Sequence, residues 1–250
     1  MTSVKRHFGM IGALGRVALD SAFPPQCPSC RDLVAANGNF CAACFEKLRM
    51  ITTPMCPRCG IPFTVMMEHG LQCADCLTKP PFFEQARAVM VYDAVSAPLI
   101  SALKFHDQWT GIAQHAAMMV GAGGEVLRGA DFLVPVPLHW RRLFHRKYNQ
   151  SALLAYGISV RTGIPCAPEL LQRVRATTPQ MKLDRAMRRG NVKKAFAISP
   201  QVRARLEGKV LVLVDDVITT GSTVDACAQA LKKAGAKEVR VLALARTVRE

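Results

Sequence analysis

The spacing of apolar residues in this chain changes character near Pro80. Beyond it, short apolar runs alternate with stretches of helical period. Val210-Leu-Val-Leu-Val214 is unbroken, the pattern of a strand buried on both faces, as in a parallel sheet. Asp215 and Asp216 follow it, then the small, hydroxyl-rich turn Thr219-Thr220-Gly221-Ser222-Thr223. Val224, Cys227, Ala228 and Leu231 next mark one face of a helix. Glu238 to Ala245 is a second strand, reached through Gly235, and completes a βαβ unit. Upstream, Arg87 to Tyr92 predicts a strand, and Pro98 to Phe105 and Ile112 to Leu127 predict helices. Asp131 to Pro137 predicts a short strand ending in a proline-fixed turn, and Ser151 to Arg161 a helix. This alternation predicts an α/β domain over 81–250, a mostly parallel sheet flanked by helices.

The order around Asp215 suits a phosphorylated sugar. A turn entering a helix presents backbone N–H groups where the helix dipole also favours a phosphate. The two acids stand at the C-terminal end of their strand, where open α/β sheets bind ligands. Carboxylates accept from two vicinal hydroxyls, and glycine lets the backbone approach a phosphate closely. The plain alternative is an ordinary strand–turn–helix with an acidic loop. No lysine follows the glycine, so this is not a Walker A loop.

Before Pro80 the pattern is set by cysteine. Eight of the ten cysteines form four C-x-x-C pairs, Cys27/Cys30, Cys41/Cys44, Cys56/Cys59 and Cys73/Cys76. Two pairs supply four thiolates for one tetrahedral zinc, so residues 27–80 predict a double zinc ribbon. Sequential grouping puts Cys27, Cys30, Cys41 and Cys44 on one ion and Cys56, Cys59, Cys73 and Cys76 on the other; interleaving is the alternative. A full thiolate set leaves no open position for water, so both zincs are expected to be structural. His69 could replace a ligand at the second site. A disulfide framework is the competing reading, and belongs to oxidising compartments. Cys166 and Cys227 read as buried small hydrophobes.

Residues 1–26 form a lead-in in which Val4, Phe8, Ile11 and Leu14 suggest a short amphipathic helix. Arg16 and Asp20 break its apolar stretch, which argues against a signal peptide. No run approaches roughly 18 apolar residues, so no transmembrane helix is expected. The net charge of +15 points to a polyanionic partner, against the plainer reading of a basic surface. The basic loop His139 to Gln150 carries Arg141, Arg142, Arg146 and Lys147, and 173–194 holds eight cations and one acid. Aromatics are absent from the latter, so phosphate contact rather than base stacking would dominate any nucleic-acid binding there.

The strand, acidic pair and Thr219 to Thr223 turn resemble the phosphoribosyl pyrophosphate (PRPP) loop of type I phosphoribosyltransferases. Leu103-Lys104-Phe105, Val134 to Pro137, Asn149-Gln150 and the series Arg175, Thr177, Gln180, Leu183, Arg188, Asn191, Val192, Ala195, Phe196 sharpen the resemblance to the ComF family. That resemblance implies a type I phosphoribosyltransferase fold behind an N-terminal double zinc ribbon. It implies that Asp215 and Asp216 hold the ribose hydroxyls and act as the catalytic acids, while Val217, Ile218, Thr219, Thr220, Gly221, Ser222 and Thr223 line the PRPP loop. Lys104, Arg141, Arg142, Arg146, Lys147, Arg175 and Arg188 would contact pyrophosphate or substrate. Lys147 stands where the family's basic turn usually has glycine, which puts that turn's geometry in question.

The implied cofactors are two structural zincs and Mg²⁺ with PRPP. The implied partners are PRPP or a related ribose phosphate, single-stranded DNA handled during natural transformation, and a DNA-uptake helicase or translocase; the implied setting is cytoplasmic. Two other functions stand beside this one: a nucleic-acid-binding module whose PRPP site is regulatory or vestigial, and a nucleotide-salvage phosphoribosyltransferase. If active, the enzyme would transfer a phosphoribosyl group. The zinc region is expected where relatives carry a nucleobase-reading hood.

Overall fold

In the computed structural model the described residues are 24–248, apart from 28, 37–38, 66–69, 106–110, 139–147 and 175–194. In chain order they form helices α1 (Ala42–Glu46) and α2 (Ala74–Thr78), strand β1 (Gln85–Val91), helices α3 (Ala97–Phe105), α4 (Ile112–Ala122) and α5 (Gly124–Leu127), and strand β2 (Phe132–Pro135). There follow α6 (Gln150–Thr162), β3 (Gln172–Arg173), β4 (Phe196–Ala197), α7 (Pro200–Arg203), β5 (Val210–Ile218), α8 (Ser222–Lys233) and β6 (Glu238–Arg246).

The central sheet is parallel, in the order β1–β6–β5–β2. Leu211 pairs with Phe132 on one side and with Val239 on the other, so β5 is an inner strand. Leu211 to Asp216 are buried throughout, which is why the run carries no polar alternation. On one face Leu154, Ala155 and Ile158 of α6 and Ala116 and Met119 of α4 cover Val212, Val214 and Leu242. On the other, Val224, Cys227, Ala228 and Leu231 of α8 cover Leu211, Leu213 and Val241. The connections after β2 and β5 therefore leave on opposite faces. The crevice this opens at the strand ends is where such sheets bind ligands.

Both sheet edges are covered. Met50 bridges Met90 in antiparallel fashion, with the Ile51 N–H donating to Val89 O at 2.9 Å and Val91 N–H to Arg49 O at 2.8 Å. Beyond β2, Leu133 N–H donates to Pro165 O and Ala167 N–H to Leu133 O, each at 2.9 Å. Edges closed this way offer no row of free backbone groups to another chain.

The cysteine-rich region crosses the β1 edge at Arg49 to Ile51. Phe40 and Leu48 on its near side join the α4–α6 face, while Ile51, Met55 and Cys59 join the α8 face. The stretch Thr78 to Phe82, whose Thr-Lys-Pro-Pro-Phe composition suggests a linker, runs into the sheet held firmly: Arg58 donates to Pro81 O at 2.7 Å, Phe82 N–H donates to Asp225 Oδ1 at 2.6 Å, and Phe83 is buried.

Two elements differ from the pattern-based expectation. The helix expected over Ile112 to Leu127 is split at Gly123, where the chain lies so close to β6 that a Cβ would sit 2.7 Å from the Leu242 side chain. The strand expected to end at the acids runs on past them to Ile218, because Asp215 and Val217 still pair with Ala243 and Ala245. The helix expected within residues 1–26 lies outside the described residues.

Candidate functional site

The acidic pair lies inside the second half of β5, and both acids are buried. Asp215 Oδ1 accepts from Ser151 Oγ at 3.0 Å and from Asp216 N–H at 2.9 Å. Asp216 Oδ2 accepts from Gln150 Nε2 at 3.3 Å, and its Oδ1 accepts from Val217 N–H at 2.8 Å. Gln150 and Ser151 open α6, whose N-cap Asn149 accepts from Ser151 N–H at 3.0 Å. The Asn149 amide also donates to Val136 O at 3.1 Å, and Val136 N–H donates to Val214 O at 2.9 Å. The ends of β2 and β5 and the start of α6 are thereby locked together. The positive end of the α6 dipole points at the two carboxylates.

After β5 the chain turns through Gly221, whose φ of +74° is left-handed and suits glycine, into the N-terminus of the twelve-residue α8. Within the turn Thr220 Oγ1 lies 2.9 Å from Ser222 Oγ, and Asp225 N–H donates to Gly221 O at 2.9 Å. Thr247, just past β6, anchors the turn by donating its N–H to Ile218 O and its hydroxyl to Thr219 O, each at 3.0 Å. A rigid strand end, two acids and a helix N-terminus thus face one crevice.

Burial, and then the neighbouring Asp216 charge, hold the Asp215 carboxyl well above the usual range. Its folded-state pKa exceeds its unfolded one. Protonated Asp215 therefore contributes stability that is full below the ordinary value of 3.8 and is lost as pH rises through the folded-state value. At neutral pH, above the ordinary carboxylate range, the burial of Asp215 therefore works against folding. Asp215→Asn is expected to raise the melting temperature there by a few degrees, since about 1 kcal/mol is worth roughly 2–4 °C in a chain of this size. Thermal melts over a pH series check this: the gain should shrink as pH falls toward the ordinary carboxylate range. A lower melting temperature at neutral pH would contradict it.

The basic residues are placed less completely. Lys104 lies on α3, near whose end Leu103 O accepts from Tyr148 Oη at 3.2 Å; the Lys104 side chain is outside the description. Arg141, Arg142, Arg146, Lys147, Arg175 and Arg188 lie outside the described residues, as does His69. The stretch containing Arg175 and Arg188 is bracketed by β3 and β4, where Arg173 pairs with Phe196 and stacks 5.5 Å over its ring.

The cysteines form two groups, Cys27, Cys30, Cys41 and Cys44, and Cys56, Cys59, Cys73 and Cys76, with the sulfurs of each within 4.8 Å of one another. Grouping is sequential. Cys30 and Cys41 Sγ are 3.5 Å apart and Cys59 and Cys73 Sγ 3.6 Å, close to the roughly 3.8 Å edge of a tetrahedral zinc tetrathiolate. The two units repeat one design. Each begins with a knuckle, in which Arg31 N–H returns to Cys27 O and Gly60 N–H to Cys56 O, with left-handed φ of +68° and +70°. Each ends on a short helix capped by its third cysteine, Cys41 or Cys73. Gly60 has a second reason to be glycine: a Cβ there would lie 2.4 Å from Ala86 O. The donor set fits structural zinc and leaves no open coordination position.

The zinc region lies beside the acidic loop. The buried Arg246 guanidinium donates to Cys59 O, and Arg246 pairs in register with Ile218, the last residue of β5. Neither this bridge nor the Gln150 and Ser151 contacts can be seen in the sequence pattern. They join residues 187, 66 and 64 apart.

A double zinc ribbon domain family matches residues 18–77, and the phosphoribosyl transferase domain family matches residues 145–249. The chain is 36% identical over 237 residues to DNA utilization protein YhgH of Escherichia coli K12, an alignment covering 90% of this chain and 98% of that one. It is 30% identical over 227 residues to competence protein F of Haemophilus influenzae, covering 88% and 96% of the two. The chain belongs to the ComF family. Competence protein ComFC of Bacillus subtilis is similar too, at 27% identity over 214 residues, 81% of this chain and 82% of that one. The ComF architecture accounts for both halves: the parallel sheet is a phosphoribosyltransferase fold, and the two four-cysteine groups are the double zinc ribbon.

Proposed function

We propose that this ComF-family protein binds Mg²⁺–PRPP at the β5–α8 loop and acts in the handling of incoming single-stranded DNA. The observation that carries the ligand reading is the buried pair Asp215–Asp216 set against a left-handed glycine at a helix N-terminus. In this reading Asp215 and Asp216 accept the ribose 2′- and 3′-hydroxyls. Thr219 to Thr223 hold the 5′-phosphate through backbone N–H groups and hydroxyls. Mg²⁺ supplies charge neutralisation for the pyrophosphate, helped by Lys104, Arg141, Arg142, Arg146, Lys147, Arg175 and Arg188. Residues 27–80 serve as the metal unit and 81–250 as the ligand unit. The test of the site is a Mg²⁺–PRPP titration of wild type against acid-pair variants; the test of turnover is pyrophosphate release from PRPP with candidate acceptors or DNA.

The bridge from Cys59 to Arg246 supports the zinc ribbon standing where a nucleobase-reading hood would be, which argues against nucleotide salvage. The DNA reading is supported by the names of the relatives, DNA utilization protein and competence protein F, and by the +15 charge. That charge also favours the second reading, a nucleic-acid module in which PRPP is regulatory. No described helix is long and apolar enough to cross a membrane. Thiolate zinc ligands suit a reducing compartment, and we place the protein in the cytoplasm, beside a DNA-uptake helicase or translocase. If phosphate contacts carry single-stranded DNA binding, the logarithm of affinity should fall linearly with the logarithm of salt, by about 0.7 per phosphate neutralised. Fluorescence anisotropy with a labelled oligonucleotide checks this, and a flat salt dependence would sink it.

A further inference from the structure

The side-chain amide of Gln150 is almost wholly buried against the acidic pair. Its Nε2 donates to Asp216 Oδ2, while its Oε1 has no hydrogen-bond partner among the described residues. The orientation is fixed by charge, since the reverse would press a carbonyl oxygen against a carboxylate. An amide is planar and short, so Oε1 too lies close to Asp216, at the N-terminus of α6. A buried carbonyl left unpaired is costly, because it has given up its water partners for nothing. The surrounding structure makes that cost hard to avoid: Asn149 fixes the α6 N-terminus to Val136, and Ser151 fixes it to Asp215. Gln150 is thus held with one half satisfied by the protein and the other half buried without a partner among the described residues.

We propose that Gln150 is a ligand-reading residue, whose Oε1 accepts from a hydroxyl of the ribose phosphate while its Nε2 steadies Asp216. The inference rests on the ribose-phosphate reading of the loop and names a third sugar-contacting group beside the two acids. The chemistry is specific. Ionised, the acids accept only, and buried next to each other they repel. A neutral amide adds an acceptor without adding a third negative charge, and its donor half offsets part of the charge already there. Inorganic phosphate, which has no diol, makes no use of this group.

The experiment compares ribose 5-phosphate with inorganic phosphate by calorimetry, in wild type, Gln150→Met and Gln150→Lys. The readout is the ratio of the two affinities, which isolates what the sugar contributes. Gln150→Met is expected to lower that ratio roughly threefold to tenfold, the worth of one neutral hydrogen bond, and to leave phosphate affinity unchanged, showing an intact loop. Gln150→Lys keeps a donor for Asp216 but offers no acceptor, so the ratio should stay low. If Gln150→Lys restores the wild-type ratio, the residue only positions Asp216 and the proposal falls. An unchanged ratio in Gln150→Met overturns it equally. Wild type that binds phosphate with no preference for ribose 5-phosphate overturns the underlying sugar reading, and is told apart from both by the wild-type ratio alone.

Discussion

Mg²⁺–PRPP should bind the wild-type protein and fail to bind Asp215→Ala/Asp216→Ala. Each acid would give up a charge-assisted hydrogen bond to a sugar hydroxyl, worth about 1.5–3 kcal/mol. Losing two weakens binding by at least roughly a hundredfold. Misfolding is not the expected route to that loss. Truncation leaves the Ser151 and Gln150 donors unpaired, which destabilises, but it also removes a buried carboxyl held far above its usual pKa, which stabilises. Titration calorimetry with a parallel thermal melt separates the two effects. Binding indifferent to the double change, or absent from wild type, would remove the PRPP reading.

Stripping zinc should destabilise the whole chain and not only its first third. Elemental analysis should find close to two zinc per chain, one for each four-cysteine group. Structural zinc sites carry apparent binding energies of about 10–16 kcal/mol, as large as the 5–15 kcal/mol that holds an ordinary domain together. Folding of the ribbon is therefore inseparable from its metal. The sheet depends on the ribbon in turn. Arg49 and Ile51 pair with β1, Ile51 and Met55 enter the α8-side core, Arg87 donates to Pro57 O at 2.9 Å, and Arg246 donates to Cys59 O. Chelation should lower the melting temperature globally and expose β1 amides to hydrogen exchange. The two sites should differ. Cys56→Ser/Cys59→Ser should also weaken phosphate binding, because the Cys59 end of the bridge lies one strand from the loop. Cys27→Ser/Cys30→Ser, in a group whose Cys30 is exposed, should leave it closer to wild type. Equal loss from both pairs, or a sheet that melts unchanged without zinc, would refute this coupling.

Much of this was legible in the chain. Local regularities announce themselves because their cause is local. An apolar run means a strand buried on both faces, a glycine after hydroxyl residues means a left-handed turn, and two cysteines three apart mean a metal knuckle. The βαβ unit around Asp215, the four cysteine pairs and the change of pattern near Pro80 could all be read in this way. The split of the long helix at Gly123 could not, since it answers to Leu242, more than a hundred residues on. Nor could the reach of β5 beyond its acids to Ile218, which is set by pairing with Ala245 and Arg246 rather than by hydrophobicity.

By itself the sequence determined the ingredients: a hydroxyl- and glycine-rich turn beside two acids, eight thiolates, and a strongly basic balance. Only the tertiary structure decided how they meet. It chose sequential over interleaved zinc groups, carried the ribbon across the β1 edge, brought Gln150 and Ser151 onto the acids, and joined Cys59 to Arg246. For the contacts that gather around β5 the reason is the strand order β1–β6–β5–β2, which places the last strand of the chain between its first and its fifth. No local period encodes that order. It follows from burying both faces of one sheet at once, and the contacts of α6 and β6 with the end of β5 are consequences of it.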